Sequence, residues 1–205
     1  FAAKDSSFLS FAEKVKTFIT ENKVTDISYL EDSNLEDERK TLIQTIGENI
    51  QLRRIETIDF TPEMKKGLYM HFNSKLAAIV ITKDGSDEVA RNIAMHVSAF
   101  NPLCLSEDDI DKDVLEREKA IFVNQAQESD KPQEIMDKMV EGKVKKFLSE
   151  VSLLSQDFLK DSEITVQEYL NQNGAVALDF VRLKVGEGIE VVTKDFAEEV
   201  AEQLK

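Results

Sequence analysis

The sequence predicts an α+β protein: antiparallel sheets packed with helices, an inserted antiparallel helical hairpin of coiled-coil type, and a C-terminal helix. Three observations predict this class. Apolar residues recur every three or four positions over most of the chain, which is the period of amphipathic helices. Short apolar and β-branched runs bounded by turn residues indicate strands both before and after residues 106–154. Within that range, two long amphipathic segments flank a polar turn, which is typical of two antiparallel helices.

Composition and charge narrow the class of protein further. The chain has 205 residues, 41% of them hydrophobic, which is enough for one or two domains with a substantial core. Its formal net charge of −14 disfavours contact with a polyanion, so we expect no nucleic-acid partner. No apolar run approaches the ~20 residues that a membrane-spanning helix needs, so we expect no membrane partner. The single cysteine, Cys104, fits a reducing compartment and is expected to be a small core residue.

Three helices and a strand are predicted in the first part of the chain. The first helix is capped by Asp5 or Ser6, runs to about Glu21 and carries three phenylalanines on its apolar face. A short helix follows. The third helix ends at Gly47, because a glycine directly after the last periodic residue is the usual left-handed helix stop. Residues 50–60 are rich in apolar and β-branched side chains and predict a strand.

The next segment predicts a β-hairpin followed by a helix. Strands at residues 67–72 and 76–82 flank Asn73 and Ser74, two residues that favour a tight turn. A helix over residues 87–99 then carries a continuous apolar face and ends at an Asn-Pro pair.

The inserted helical hairpin is expected to run from Ser106 to Leu154. Ser106, with Asp109 three residues later, is a near relative of a capping box and predicts the start of the outgoing helix. The return helix, residues 132–158, has one apolar stripe and contains Gly142. A mid-helix glycine costs about 1 kcal/mol relative to alanine, so we expect Gly142 to lie against another backbone. The hairpin is either a purely structural element or a protruding arm that contacts a partner.

A second strand region follows the hairpin. After a short helix at residues 165–171, residues 175–185 predict a strand whose apolar residues change from even to odd positions, which indicates a β-bulge. Thr193 then caps a final amphipathic helix. Because strands lie on both sides of the hairpin, we expect the hairpin to interrupt one antiparallel sheet rather than to link two domains.

The sequence contains no recognisable catalytic or metal-binding motif. The P-loop, GxSxG and HExxH patterns are missing, and the two histidines, His71 and His96, fall on different predicted elements. We therefore expect no metal, no cofactor and no enzyme activity. Tyr69 and His71 lie two residues apart on a predicted strand, so their side chains point to the same side. They form either a hydrogen-bonded structural pair or part of a contact surface.

Several collinear segments resemble one protein family. They are IGENIQLRR, NIAMHVSAFNP, KPQEIMDKMVEGKVKKFLSEVSLLSQDF, FVRLKVGEGIE and DFAEEV. Together they cover essentially the whole chain in order, and they resemble bacterial-type translation elongation factor Ts.

The resemblance implies an activity and a partner. Members of this family bind elongation factor Tu in its GDP form, promote GDP release with displacement of Mg²⁺ during translation elongation, and perform no chemistry of their own. The implied location is the bacterial-type cytoplasm, with an organelle matrix as the alternative. A homodimer formed through the hairpin is compatible with this function.

The resemblance also implies a division of the chain. Residues 1–61 correspond to a truncated N-terminal subdomain of the family's core. Residues 62–104 and 155–188 correspond to its C-terminal subdomain, and residues 105–154 to the inserted helical hairpin. Residues 189–205 correspond to a small C-terminal helix module.

The resemblance further implies which residues contact elongation factor Tu. The chain begins with FAAKD, the end of a family motif in which Phe1 corresponds to an intruding phenylalanine, and we interpret the chain as a fragment or a processed product. The helix at residues 195–204 is implied to touch the partner's nucleotide domain. Phe72 stands where family members usually have glycine. The implied partner-binding residues are Phe1, Ile46, Gly47, Glu48, Asn49, Tyr69 and His71.

Two other classes of protein stay open on the residues alone. The main alternative is a structural or adaptor protein that self-associates through its helical hairpin. An enzyme is the third class, and the lack of a clustered nucleophile, base or metal-ligand set in the sequence counts against it.

Overall fold

The structure, a computed structural model, describes residues 2–31, 33–129 and 131–189. It contains α-helices and antiparallel sheets, which confirms the predicted α+β class. The chain divides into two compact units, residues 1–59 and residues 60–205. The finer predicted division into core subdomains, hairpin and C-terminal module stays a prediction, and the predicted C-terminal helix lies outside the described residues.

Among the described residues of the first unit, the regular structure is helical. The α-helices are α1 (Ser6–Asn22), α2 (Ser28–Glu31) and α3 (Asn34–Ile46). Asp5 begins α1, because its carboxylate accepts the backbone N–H of Ser7 at 2.8 Å. The predicted stop at Gly47 is confirmed: Gly47 has a φ of +76° and donates its N–H to Ile43 at 2.8 Å. The core of this unit consists of Phe11, Val15, Leu30, Leu35, Leu42 and Ile50.

The predicted strand at residues 50–60 is wrong. A strand needs a hydrogen-bonded neighbour, and no other strand of the first unit lies among the described residues. Instead, Ile50 is buried in the helical core, and Leu52 and Ile55 pack against that core while partly buried. The apolar residues that indicated a strand therefore pack against the helices of the first unit instead.

The second unit combines strands and helices. Its elements in chain order are β1 (Lys65–Met70), β2 (Leu76–Asp84), α4 (Asp87–Phe100), α5 (Lys112–Gln127), α6 (Gln133–Val151), β3 (Asp157–Phe158), β4 (Asp161–Thr165), α7 (Val166–Gln172) and β5 (Ala175–Lys184). The predicted β-hairpin, the helix after it and the short helix near residue 166 are confirmed, with small shifts at their ends.

The main sheet is antiparallel and has the strand order β1-β2-β5. β2 pairs with β1 on one side and with β5 on the other, so the residues between α4 and β3 interrupt one sheet, as the sequence predicts. The predicted bulge is also present, because the register shifts between Ile81 and Thr82. This shift leaves Leu178 of β5 without a partner on β2. β3 and β4 form a separate two-stranded sheet.

α4 packs closely on one face of the main sheet. A Cβ atom on Gly67 would lie 2.0 Å from the backbone carbonyl carbon of Ala90, so only glycine fits at this point of β1. Ala175 and Ala177 of β5 are buried in the core that α4 covers, whereas Val176 between them is exposed. The buried core residues are Ala78, Val80, Val89, Ile93, Ala94, Val97, Leu153, Phe158, Val166, Leu170, Ala175 and Ala177.

α5 and α6 contact one another in antiparallel order. Phe122 and Phe147 meet edge to face with their ring centres 6.2 Å apart. Nearer the turn between the helices, Lys143 donates to the side-chain oxygen of Gln125 at 2.6 Å. A coiled-coil geometry for this pair stays a prediction.

Three expectations about these helices are wrong. The return helix ends at Val151 rather than near residue 158, because the backbone of Ser152 is extended. The outgoing helix begins at Lys112, because the carboxylate of Asp111 accepts two backbone N–H groups of its first turn. Ser106 does bind the carboxylate of Asp109, but this contact belongs to a separate 3₁₀ turn. Gly142 does not lie against another backbone, since nothing comes within 4 Å of a Cβ atom placed on it.

Hydrogen bonds fix the two ends of this hairpin to each other. Leu103 donates its N–H to Val151 at 2.8 Å, and Leu153 donates to Cys104 at 2.9 Å. The side chains of Cys104 and Ser152 meet here at 3.4 Å, and both are buried. Cys104 is thus a small core residue, as expected.

A buried histidine connects α4 to the same junction. His96 is fully buried, and its Nδ1 accepts the backbone N–H of Leu159 at 3.1 Å. Because Nδ1 is an acceptor, Nε2 carries the proton and donates to Oε1 of Gln156 at 2.9 Å. The Gln156 amide donates in turn to the carbonyl of Glu150 at 2.7 Å, at the end of α6. Burial lowers the pKa of His96, and the hydrogen bond to Gln156 offsets only part of this lowering.

We expect His96 to make the fold less stable in mild acid. The unfolded histidine titrates near its usual pKa of 6.5, whereas the folded one has a lowered pKa, so the unfolded chain binds more protons. The contribution of neutral His96 to the free energy of unfolding is complete above about pH 6.5. It is lost progressively as the pH falls toward the lowered pKa of the folded histidine. Urea unfolding at about pH 7.5 and about pH 5.5 should show a larger loss of unfolding free energy for the wild type than for His96→Gln. Equal losses in the two proteins would contradict this expectation.

Gly67 and Gly142 offer a matched pair of substitutions. Gly67→Ala places a methyl group inside the backbone of α4 and should lower the free energy of unfolding by about 3 kcal/mol or more. Gly142→Ala meets nothing within 4 Å and should raise it by up to about 1 kcal/mol, because alanine is the better helix former. Urea unfolding of both variants measures the two effects. A well-tolerated Gly67→Ala would show that α4 can move away from β1.

Candidate partner-binding site

The first candidate surface is the loop that follows α3. Gly47, Glu48 and Asn49 are exposed, whereas Ile46 before them is half-buried and Ile50 after them is buried. Both isoleucines pack against the core of the first unit. The loop therefore presents three consecutive residues to solvent from two fixed ends.

Arg39 ties the far end of this loop to α3. Its Nη1 donates to the carbonyl oxygen of Ile50 at 2.5 Å. Its Nε and Nη2 donate to the two carboxylate oxygens of Glu36 at 2.8 and 2.7 Å, which is a bidentate contact within one turn of the helix. The side chains of Arg39 and Glu36 are only 18% and 22% exposed.

This contact changes the pKa of Glu36. The hydrogen bond from Arg39 lowers the pKa from the usual 4.5 to about 2, the charges of Arg39 and Lys40 add to the lowering, and partial desolvation opposes it. The Glu36 carboxylate therefore stays ionised through the pH range in which glutamates ordinarily titrate.

A polar cleft of about 660 Å³ opens beside the loop. Its lining residues come from α2, α3, the loop and the segment after the loop. They are Leu30, Glu31, Glu36, Arg39, Ile43, Asn49, Gln51, Leu52 and Arg53. Six of these nine side chains are polar or charged, and two of the six, Glu36 and Arg39, are already engaged in the hydrogen bonds described above.

The second candidate surface lies at the turn between β1 and β2. Tyr69 packs partly buried against the core, and the N–H of His71 donates to Leu76 at 2.8 Å, which closes the turn. The rings of Tyr69 and His71 meet edge to face with their centres 6.5 Å apart. Among the described residues, Nδ1 of His71 is buried and has no hydrogen-bond partner. This geometry counts against the hydrogen-bonded structural pair.

Phe72 extends the second surface. Its side chain is 91% exposed, and its ring centre lies 4.3 Å from that of His71. Single exposed apolar side chains are common on protein surfaces, so Phe72 by itself does not identify a contact surface. The partner-binding role of Tyr69 and His71 stays a prediction.

The structure places the predicted contact residues in two groups. One group is the loop at residues 46–49 in the first unit, and the other is Tyr69 with His71 in the second unit. Phe1 and the predicted helix at residues 195–204 lie outside the described residues.

The sequence did not point to Arg39 as part of the site. Glu36 and Arg39 have the spacing of neighbours on a helix face, so an ion pair between them could have been predicted. The hydrogen bond to Ile50 could not, because it depends on the path that the chain takes after Gly47.

The described ranges contain neither a candidate metal site nor a candidate membrane span. There, no group of three or more histidine, cysteine, aspartate or glutamate side chains is arranged to hold a metal ion. In the same part of the chain, no helix is both long enough and apolar enough to cross a membrane.

Known proteins that resemble this chain share one family. A family model described as elongation factor TS matches residues 1–187. The chain belongs to the elongation factor Ts family. Elongation factor Ts of Hahella chejuensis is 43% identical over 205 residues, which cover the whole chain and 71% of that relative. Elongation factor Ts of Francisella tularensis subsp. novicida is 44% identical over 211 residues, which cover the whole chain and 72% of that relative.

A third relative gives the same result. Elongation factor Ts of Psychrobacter arcticus is 42% identical over 207 residues, which cover 98% of the chain and 69% of that relative. These matches confirm the resemblance found in the sequence segments and place the chain among translation elongation factors. The family match includes both groups of predicted contact residues, since it runs from residue 1 to residue 187.

Glu36 should titrate far below an ordinary glutamate. A carbon-13 NMR titration of its side-chain carboxyl should give a midpoint near pH 2, where its pKa lies, instead of 4.5. Because the folded pKa is the lower one, this carboxylate stabilises the fold above about pH 4.5, and the stabilisation is lost as the pH falls toward 2. Arg39→Met should move the midpoint back toward 4.5. Lys14→Met, which removes an exposed ion pair with Glu38, should leave it in place. A wild-type midpoint near pH 4.5 would contradict the conclusion that Arg39 lowers the pKa of Glu36.

Proposed function

We propose that the chain is a guanine-nucleotide exchange factor for elongation factor Tu, which it binds in the GDP form to promote GDP release. The observation that carries the proposal is the match to the elongation factor Ts family along residues 1–187. The exposed loop at residues 46–49 and the ring pair of Tyr69 and His71 fall inside that match. The chain acts through binding alone, performs no covalent chemistry and works in the cytoplasm.

The two surfaces receive different roles in this proposal. The loop at residues 46–49 contacts the partner's nucleotide domain, and its two packed ends reduce the conformational entropy that binding must remove. Tyr69 and His71 contact the partner's third domain. Phe72, exposed beside them, adds apolar area to this second contact.

Phe1 is the proposed wedge. An aromatic side chain that becomes buried between partner helices gains roughly 1.5–3 kcal/mol. This gain promotes exchange only if the ring is buried in the partner's GDP-weak state, because a ligand shifts a conformational equilibrium only through its differential affinity for the two states.

The same argument fixes the thermodynamics of the complex. By linkage, GDP weakens the binding of this chain to elongation factor Tu by the same factor by which the chain weakens the binding of GDP. Displacement of the partner's Mg²⁺ adds to the effect, since the ion neutralises charge on the phosphates of the nucleotide.

Self-association through the hairpin is the second candidate function. A groove of about 440 Å³ runs between α5 and α6, and Ile121 and Ile135 on these helices are 46% and 47% exposed. Exposed apolar residues on paired helices favour a further helix contact. This role is compatible with nucleotide exchange, because the two groups of contact residues lie outside the hairpin.

Release of a fluorescent GDP analogue from elongation factor Tu tests the main proposal. Substoichiometric amounts of this chain should accelerate release, because each molecule acts repeatedly. His71→Ala should weaken complex formation without lowering the melting temperature, since the ring contacts of His71 lie at a surface turn. Gly142→Ala, which changes neither group of contact residues, is the matched control and should behave like the wild type.

The outcomes separate the two candidate functions. If the chain forms a complex with elongation factor Tu but does not accelerate GDP release, the proposed binding stands and the proposed exchange activity is overturned. Neither binding nor acceleration by a folded chain would overturn the main proposal. Concentration-dependent sedimentation that disappears on deletion of residues 111–150 would then favour the hairpin as a self-association element.

A further inference from the structure

We propose that Arg39 is a positioning residue, which holds the exposed loop at residues 47–49 in the conformation that meets the partner. This inference rests on the proposed function. Arg39 is mostly buried and acts through the backbone of Ile50 rather than through contact with the partner. Arg39 lies outside the segment of residues 46–49 that the family resemblance marks as a contact loop.

Contacts within α3 orient the guanidinium of Arg39 toward the loop. Glu36 binds its Nε and Nη2 at 2.8 and 2.7 Å, and both residues belong to α3. Because the guanidinium is planar, these two bonds also set the direction in which Nη1 points. That donor meets the carbonyl oxygen of Ile50 at 2.5 Å.

The loop is therefore held to α3 at both of its ends. At its start, the N–H of Gly47 donates to the carbonyl of Ile43, and the positive φ of Gly47 turns the chain away from the helix. At its end, the buried side chain of Ile50 fixes the position of that residue, and Arg39 fixes the orientation of its carbonyl group. Only two exposed residues, Glu48 and Asn49, lie between these two fixed points, so the path of the loop is short.

The charge on the pair favours a fixed contact over a fluctuating one. Hydrogen bonds from a charged donor are about twice as strong as neutral ones, and two of the three bonds here join opposite charges. A loop that is already ordered loses less conformational entropy when it binds. Arg39 thereby contributes to the affinity for the partner without touching it.

The ion pair of Lys14 with Glu38 provides a contrast in the same unit. It joins α1 to α3 at 2.6 Å, but its side chains are 54% and 44% exposed. The bonds of Lys14 do not include the backbone of the loop. Removing this pair changes charge and a contact between helices while leaving the hold on Ile50 in place.

Variants of the full chain test the positioning role by nucleotide exchange. Arg39→Met removes the donors and keeps most of the side-chain length, and it should lower kcat/KM for GDP release from elongation factor Tu about tenfold. Glu36→Gln removes the charge that orients the guanidinium and should give a smaller loss. Lys14→Met is the matched control and should keep wild-type kcat/KM.

Hydrogen exchange distinguishes a local positioning role of Arg39 from a general contribution to stability. Backbone amides of residues 48–51 should exchange about tenfold faster in Arg39→Met, whereas amides in the middle of α3 should keep their wild-type rates. Global destabilisation of the first unit would raise both sets of rates. Arg39→Lys keeps the charge but lacks the planar fork, so it should recover part of the activity and part of the protection.

The results distinguish this inference from the function on which it rests. Wild-type kcat/KM in Arg39→Met, or faster hydrogen exchange along all of α3, would overturn the positioning role and leave the proposed function intact. A wild type that neither binds elongation factor Tu nor accelerates GDP release would overturn the proposed function and this inference together.

Discussion

The pairing of β2 with β5 is the interaction on which the second unit depends. β2 is the central strand of the main sheet, so it joins β1, which precedes the inserted hairpin, to β5, which follows it. The entropy lost in closing the chain between β2 and β5 grows only slowly with the length of that segment, which is why a long insertion is tolerated there. The face of this sheet is covered by α4, and Gly67 is the residue that allows the helix to approach so closely.

The same closure determines how the hairpin is attached. The chain leaves the core at Leu103 and returns at Val151, and the two segments bond to each other through their backbones. His96 and Gln156 extend this junction into α4 and α6, so that buried polar groups find partners. Because a neutral histidine supplies these bonds, the expected loss of stability in acid follows from the way in which the hairpin is attached to the core.

Local rules predicted the features that depend on neighbouring residues, and they failed where a distant partner decides. Gly47 was found because a helix stop needs only a local backbone conformation. The bulge in β5 was predicted from apolar residues that change from even to odd positions, but the buried residues before it are the odd Ala175 and Ala177, and the even Phe180 after it packs against the core. The position of the large apolar residues therefore did not show which side of β5 faces the core. The strand at residues 50–60 failed because apolar content does not show whether a second strand is present. The contact between Arg39 and Ile50 likewise depends partly on a residue that is distant in the sequence. Its ion-pair half is local to α3, whereas its backbone half depends on where the loop returns.

A protein that promotes nucleotide release by binding alone can act only through differences in affinity between two states of its partner. Such differences are small when the contacting loop can follow the partner from one state to the other, because a mobile loop binds both states nearly equally well. In the proposed function, a loop held at Gly47 and at Ile50 follows the partner less, so more of its interaction energy distinguishes the two states. In the proposed exchange function, the hydrogen bonds of Arg39 therefore contribute to exchange in addition to the residues proposed to touch the partner. Loosening it should reduce the coupling between the chain and GDP even where contact residues are unchanged.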